Sequence, residues 1–142
     1  MIVLAYDHRG YELFKKIKNF LKKNKIEFVE FASPEYDGKD NYAKFSIEAC
    51  KYILENKDSK GIFCCGTGIG ISISANRHKG IRAGICNDIK TTYLARNDDD
   101  INVLVLAGNT TKPRTAYQII KTYLNTSFEG GRHLERLSLL DK

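Results

Sequence analysis

Five short apolar runs, each followed by a stretch with helical spacing, constrain this chain more than anything else in it. The runs are Ile2–Tyr6, Ile26–Phe31, Gly61–Cys65, Ile81–Cys86 and Asn102–Ala107. β-Branched residues and short lengths mark them as buried strands. Between the first two runs, Leu13, Phe14, Ile17, Phe20 and Leu21 share one helical face while lysines fill the other. Asn24 closes that helix. A second helix is predicted from Tyr42 or Ala43 to Glu55, with Ile47, Cys50 and Leu54 inward. A third follows the central run through Ser72–Asn76. A fourth starts from an Asp88 cap and runs through Tyr93 and Leu94. A fifth opens on Pro113 and continues through Tyr117, Ile120 and Leu124. The tail, Glu129–Leu137, reads as a loop and then a short helix.

Strand–helix alternation with short connections predicts a parallel sheet covered on both faces. Right-handed crossovers make it a single doubly wound, Rossmann-like α/β domain over residues 1–142, with five strands and a C-terminal tail helix. Ligands of such sheets sit beyond the carboxyl ends of the strands. Asp7–Gly10 and Cys65–Gly70 fall at that edge. Asp98–Asp100 precedes its strand and falls at the opposite edge, from where it can reach a neighbouring subunit.

Composition excludes some functions. The chain has 142 residues and a net charge of +6, with 28% charged residues. No apolar run approaches the roughly 20 residues of a membrane span, so no membrane role is expected. The opening MIVLAYDHRG reads as a strand, not a leader, and the expected compartment is the cytoplasm. Lys15, Lys16, Lys18, Lys22, Lys23 and Lys25 read as a solvated helix face. No basic stripe interleaved with aromatics supports nucleic-acid binding. Cys50, Cys64, Cys65 and Cys86 have no CxxC spacing, and free thiols fit them better than a disulfide frame.

The stretch Gly61–Ala75, GIFCCGTGIGISISA, carries the densest signal. A strand breaks at Gly66, Gly68 and Gly70, and a helix follows. The turn is either a tight packing device or an anion cradle of backbone N–H groups at a helix N-terminus. It is neither a phosphate loop, since no Gly-Lys-Ser/Thr follows, nor the dinucleotide fingerprint. Cys65 is either a small buried hydrophobe or, against that helix start, a base or nucleophile. Asp7 and His8 are either turn residues or site residues on the same edge. Arg132 and Arg136, four apart on one helical face, are either solvated or a phosphate clamp. The aspartates at 98–100 serve loop solvation and capping more readily than a metal, because three consecutive side chains seldom converge.

Taken together, these blocks resemble the sugar-phosphate isomerases typified by type B ribose-5-phosphate isomerase, with their allose- and galactose-phosphate relatives. The resemblance spans nearly the whole chain. It rests on Tyr6-Asp7-His8-Arg9-Gly10, on Cys65–Ser72 with Ala75-Asn76, on Gly80–Ala83, on Asn102-Val103-Leu104, and on Glu129–His133 with Arg136. It implies an aldose–ketose isomerase working through an enediolate, without metal or organic cofactor. By the same resemblance, Cys65 is the base and Thr67 assists proton movement. The amides of Gly66, Gly68, Ile69 and Gly70 hold the oxyanion. Asp7, His8 and Asp99 bind substrate, and Arg132 and Arg136 hold the phosphate. Similar proteins are dimers or tetramers with sites shared between subunits.

The chain departs from that pattern where relatives commonly carry His-Asn before an aspartate. Here the residues are Asp98-Asp99-Asp100, which leaves Asp98 or His133 to open the sugar ring. Gly108-Asn109-Thr110 replaces a usual Gly-Ser-Arg, with Lys112 or Arg114 as substitutes. Asn41-Tyr42-Ala43 stands in place of Asp-Tyr-Pro. Ribose 5-phosphate is the default substrate. A non-catalytic phosphosugar-binding homologue is the alternative.

Overall fold

Strand β1 (Ile2–Tyr6) is buried at every position, which is what a run without polar alternation requires. In the computed structural model, which describes residues 1–142, it pairs in parallel with β2 (Phe28–Phe31) on one side and β3 (Lys60–Cys65) on the other. Strand β5 (Val103–Ala107) lies beyond β3, and β4 (Ala83–Ile85) closes the far edge, giving the order β2-β1-β3-β5-β4. All neighbours are parallel. The predicted doubly wound sheet is therefore present.

Both edge strands are shorter than their apolar runs. At β2, Ile26 is consumed by the end of helix α1 (Tyr11–Lys23). Lys25 adopts φ 56°, and the N–H groups of Lys25 and Ile26 return to the carbonyls of Lys22 and Leu21. That is a Schellman stop, with Asn24 as the cap residue. At β4, the Asn76 side chain occupies the free ladder edge: its oxygen accepts from Ala83 N at 2.8 Å and its amide donates to Ala83 O at 3.0 Å. An amide side chain thus covers an edge that could otherwise pair with another chain.

Helix α1 and the later α4 (Ile89–Asp99) and α5 (Pro113–Asn125) pack on one face, and α2 (Tyr42–Glu55) and α3 (Ile69–Asn76) on the other. The alternation of β3 sends Cys64 into the first core and Cys65 into the second. The inward stripe of α2 differs from the expected one. Phe45, Ala49 and Ile53 are buried with Cys50, whereas Ile47 is 53% exposed and Leu54 43%. The two stripes share Cys50, and the larger apolar area of Phe45 decides between them. Asn41 caps α2 and Asp88 caps α4 through backbone N–H groups of Ala43 and Thr91. No helix is long and apolar enough to cross a membrane.

The turn from α4 into β5 is locked by charge. Asp100, with φ 45°, accepts from Arg96 at 2.8 Å and from Arg82 at 3.1 Å. Arg96 is buried and also donates to the carbonyls of Ile101 and Thr126. Asp100 is thus a structural anchor, which agrees with the capping reading of the acidic run. The short α6 (Arg132–Ser138) rests against the C-terminal end of α4.

Candidate active site

The polypeptide leaves β1 toward one face of the sheet and leaves the adjacent β3 toward the other. Neighbouring strands whose connections diverge in this way open a crevice at their carboxyl ends. Cys65, the last residue of β3, stands in it. The cleft has a volume of about 230 Å³ and is lined by Asp7, Arg9, Tyr42, Cys65, Gly66, Thr67 and Gly70. The loop after β5 forms a second wall: Gly108 N donates to Cys65 O at 2.8 Å and Asn109 N to Gly66 O at 2.9 Å.

The glycine loop turns through Gly68, whose φ of 84° is a conformation that side-chain-bearing residues rarely adopt. One expected cradle amide is taken: Ile69 N–H donates to Thr67 Oγ1 at 3.1 Å. The N–H groups of Gly66, Thr67, Gly68 and Gly70 have no acceptor within the chain. They stand at the positive end of α3, able to hold developing negative charge. Thr67 is exposed, and its own hydroxyl proton remains free to donate toward the cleft.

Asp7 is buried and its Oδ1 accepts from Arg9 N at 3.0 Å. Burial pushes its carboxyl above the usual carboxylate value, against the pull of the Arg9 N–H and of His8. A carboxyl held above its unfolded pKa of 3.8 binds its proton more tightly in the folded chain. Its stabilising contribution is complete below that value and is lost as pH rises through the folded pKa, so ionised Asp7 opposes folding at neutral pH. Asp7→Asn is therefore expected to raise the melting midpoint at pH 7, with a gain that shrinks toward pH 4 in thermal melts. It should at the same time weaken substrate binding.

His8 is held by a residue that the sequence left unmarked. Asp40 Oδ1 accepts from His8 N and contacts His8 Nδ1, both at 2.9 Å. A carboxylate on Nδ1 directs the ring proton there and leaves Nε2 as the acceptor in the neutral imidazole. Asp40 belongs to a loop without a pattern, so nothing local could have flagged it. Tyr42 and Arg9 are the other unforeseen lining residues. Lys112 and Arg114, expected as substitutes for an arginine offered across a dimer to the neighbour's site, do not line the cleft of their own chain, as groups offered to a neighbour would not.

A second cluster lies toward the opposite edge of the sheet. His133 is buried, with Nε2 at 3.2 Å from Glu129 Oε2 and 3.6 Å from Asp98 Oδ1. The two candidates for ring opening, Asp98 and His133, are thus one unit, with Glu129 as an unforeseen third member. Asn97 Nδ2 donates to both carboxylates, at 2.8 and 3.1 Å. Ligand atoms of Asp98, Glu129 and His133 lie within 4.8 Å of one another, as do those of Asp7, His8 and Asp40; these are the two groups that could hold a cation. Asp98 converges with residues of the tail and not with Asp99 or Asp100. Asp99 lines a separate cavity of about 450 Å³ beside Arg82 and Leu137. Arg132 and Arg136 stand exposed on α6 without a carboxylate partner. Within one chain, then, Asp98, Asp99, Arg132, His133 and Arg136 are not brought to the Cys65 cleft.

A family model described as Ribose/Galactose Isomerase matches residues 2–140. A Mycoplasma pneumoniae protein described as a probable ribose-5-phosphate isomerase B is 37% identical over 136 residues, covering 96% of this chain and 90% of its own length. The crystal structure of a ribose 5-phosphate isomerase from Thermotoga maritima superposes with a TM-score of 0.95 at 38% identity, over 99% of this chain and 96% of that one. A ribose-5-phosphate isomerase B from Mycoplasma genitalium, solved with bound ribulose-5-phosphate, gives a TM-score of 0.92 at 35% identity, over 96% and 91%.

Proposed function

The chain belongs to the ribose/galactose isomerase family, and on that premise we propose that it interconverts ribose 5-phosphate and ribulose 5-phosphate. It is a sugar-phosphate aldose–ketose isomerase, an intramolecular oxidoreductase. The observation that carries the mechanism is the cleft itself: a thiol at a strand end, lined also by Asp7 and by Gly66, Thr67 and Gly70, whose N–H groups have no acceptor within the chain. Cys65 takes the proton from C2 of the open-chain aldose, and the electron pair of that C–H bond forms the enediolate. The free amides hold the oxyanion, each worth about 2.7–4 kcal/mol to the transition state. Thr67 passes a proton between the two oxygens, and Cys65 returns its proton to C1. Asp7 and His8 hold sugar hydroxyls.

The Asp98–His133 unit opens the ring, and Arg132 and Arg136 bind the phosphate, from a second copy of the chain. Two observations support the shared site. These residues lie away from the cleft of their own chain, and Ile69 and Ile73 of α3 are 56% and 53% exposed beside it, an apolar surface suited to a partner. We read the assembly as a homodimer or a tetramer of such dimers. Four free thiols fit a reducing cytoplasm. The binding-only alternative, raised by Asp98 and Asp99, has no support.

The test is turnover of ribose 5-phosphate followed by NMR, with a panel of five- and six-carbon sugar phosphates alongside. Formation of ribulose 5-phosphate with solvent deuterium entering at the transferred position is expected. Faster turnover of a hexose phosphate would reassign the substrate. Ligand-induced thermal stabilisation without deuterium exchange would overturn the isomerase mechanism.

A further inference from the structure

Arg9 is the only cation lining the Cys65 cleft. Its backbone is fixed in three ways. Its N–H donates to Asp7 Oδ1, the following Gly10 N–H returns to Asp7 O, and its carbonyl lies so near Gly108 that a Cβ there would stand 2.2 Å from it. Its side chain lies over Gly66. A Cβ at residue 66 would stand 2.6 Å from Arg9 Cδ and 3.2 Å from Arg9 Nη1, so the bare glycine is what admits the arginine stem. Asn109 Nδ2 borders the same point, 3.0 Å from that Cβ position.

The guanidinium nevertheless makes no ion pair within the chain. Arg82 and Arg96, by contrast, are both committed to Asp100. Asp7, the nearest acid in the cleft, spends its hydrogen-bonding oxygen on the Arg9 backbone and not on its side chain. A positioned, exposed and unpaired fork beside the reacting groups suits a permanent, doubly charged ligand group. Transient charge on the sugar oxygens is already served by the loop amides, which lie closer to Cys65 in sequence and share its strand end.

We propose that Arg9 binds the phosphate of the substrate from the same chain that supplies Cys65, and that it sets the preference for phosphorylated over unphosphorylated sugars. The proposal rests on the isomerase reading above and adds a phosphate ligand to it. Two parallel N–H···O bonds from a guanidinium fork grip a phosphate in a way that a lysine point charge does not.

The experiment uses the full-length assembly. Arg9→Met keeps the stem over Gly66 and removes the fork, and Arg9→Lys keeps the charge alone. With ribose 5-phosphate, Arg9→Met is expected to raise KM about 10- to 100-fold and change kcat less than about threefold, the pattern of lost uniform binding. Arg9→Lys should fall between it and the parent. Competitive inhibition by inorganic phosphate should weaken in parallel, while the melting midpoint stays unchanged because the fork has no partner in the chain. An unchanged KM and an unchanged phosphate inhibition constant would overturn the assignment. So would a fall in kcat at constant KM, which would place Arg9 on the reacting oxygens. If the parent enzyme turns over no sugar phosphate, it is the isomerase reading that fails. Phosphate protection of the parent but not of Arg9→Met against thermal unfolding would still support the ligand assignment.

Discussion

Cys65→Ala is expected to lose about 10²- to 10⁴-fold in kcat, the contribution of a positioned general base, while folding and substrate binding persist. The substitution removes one sulfur at a strand end and leaves the Gly108 N–H to Cys65 O bond, which is backbone to backbone. The other thiols supply the controls. Burial pushes Cys64 far above the usual thiol range, pushes Cys50 up to about 11 and raises Cys86. These three remain protonated and shielded at neutral pH. Alkylation of the native enzyme followed by peptide mass spectrometry should label Cys65 alone, with loss of activity in proportion and protection by substrate. Cys64→Ala, on the opposite face of the same strand, should cost stability without removing the proton transfer. Retention of C2 proton exchange in Cys65→Ala would remove the thiol from the mechanism.

The second large effect concerns the division of the site between chains. Cys65→Ala and the double variant Arg132→Ala/Arg136→Ala should each be nearly inactive. Dissociating the two, mixing them and allowing reassociation should restore about a quarter of parental activity, because half of randomly paired dimers are mixed and each has one intact site of two. Native mass spectrometry of differently tagged subunits would verify the mixing. Mixed dimers that stay inactive would place all the groups in one chain and defeat the shared site. The arrangement of a single chain argues for restoration, since no residue of α6 lines the Cys65 cleft.

What could be read from residues alone followed from how strongly each element is buried. β1 and β5 have every side chain buried and β3 nearly so, and their unbroken apolar runs gave their positions within a residue. β2 and β4 lie at the edges, where the apolar run begins in the preceding turn, before the strand itself starts. Ile26 is spent on the α1 stop and Ile81 on the turn before β4, where its N–H bonds to His78 O. On α2, spacing alone offered two stripes that share Cys50, and only packing against the sheet chose between them. The cleft was legible at Cys65, Thr67 and Asp7 because strand ends and glycine spacing declare themselves. Asp40, Tyr42 and Glu129 were not, because they reach the site clusters from irregular segments or by long-range folding. The pairing of Asp98 with His133 spans a loop, a strand and a helix, which no local pattern encodes.

The Asn76 amide on β4 and the Asp100 anchor beside it also bear on how the molecule opens. Central strands bonded on both sides exchange their amide hydrogens only when the whole domain opens, whereas a seven-residue terminal helix opens at little cost. The glycine loop hangs from β3, the former kind of element, and Arg132 and Arg136 ride on α6, the latter kind. Warming would then loosen the phosphate grip proposed for these two arginines while the sheet is still intact. Inactivation on mild heating would then be an event of the tail helix, reversed on cooling, at temperatures where the circular dichroism of the domain has lost no more than the small share that α6 contributes.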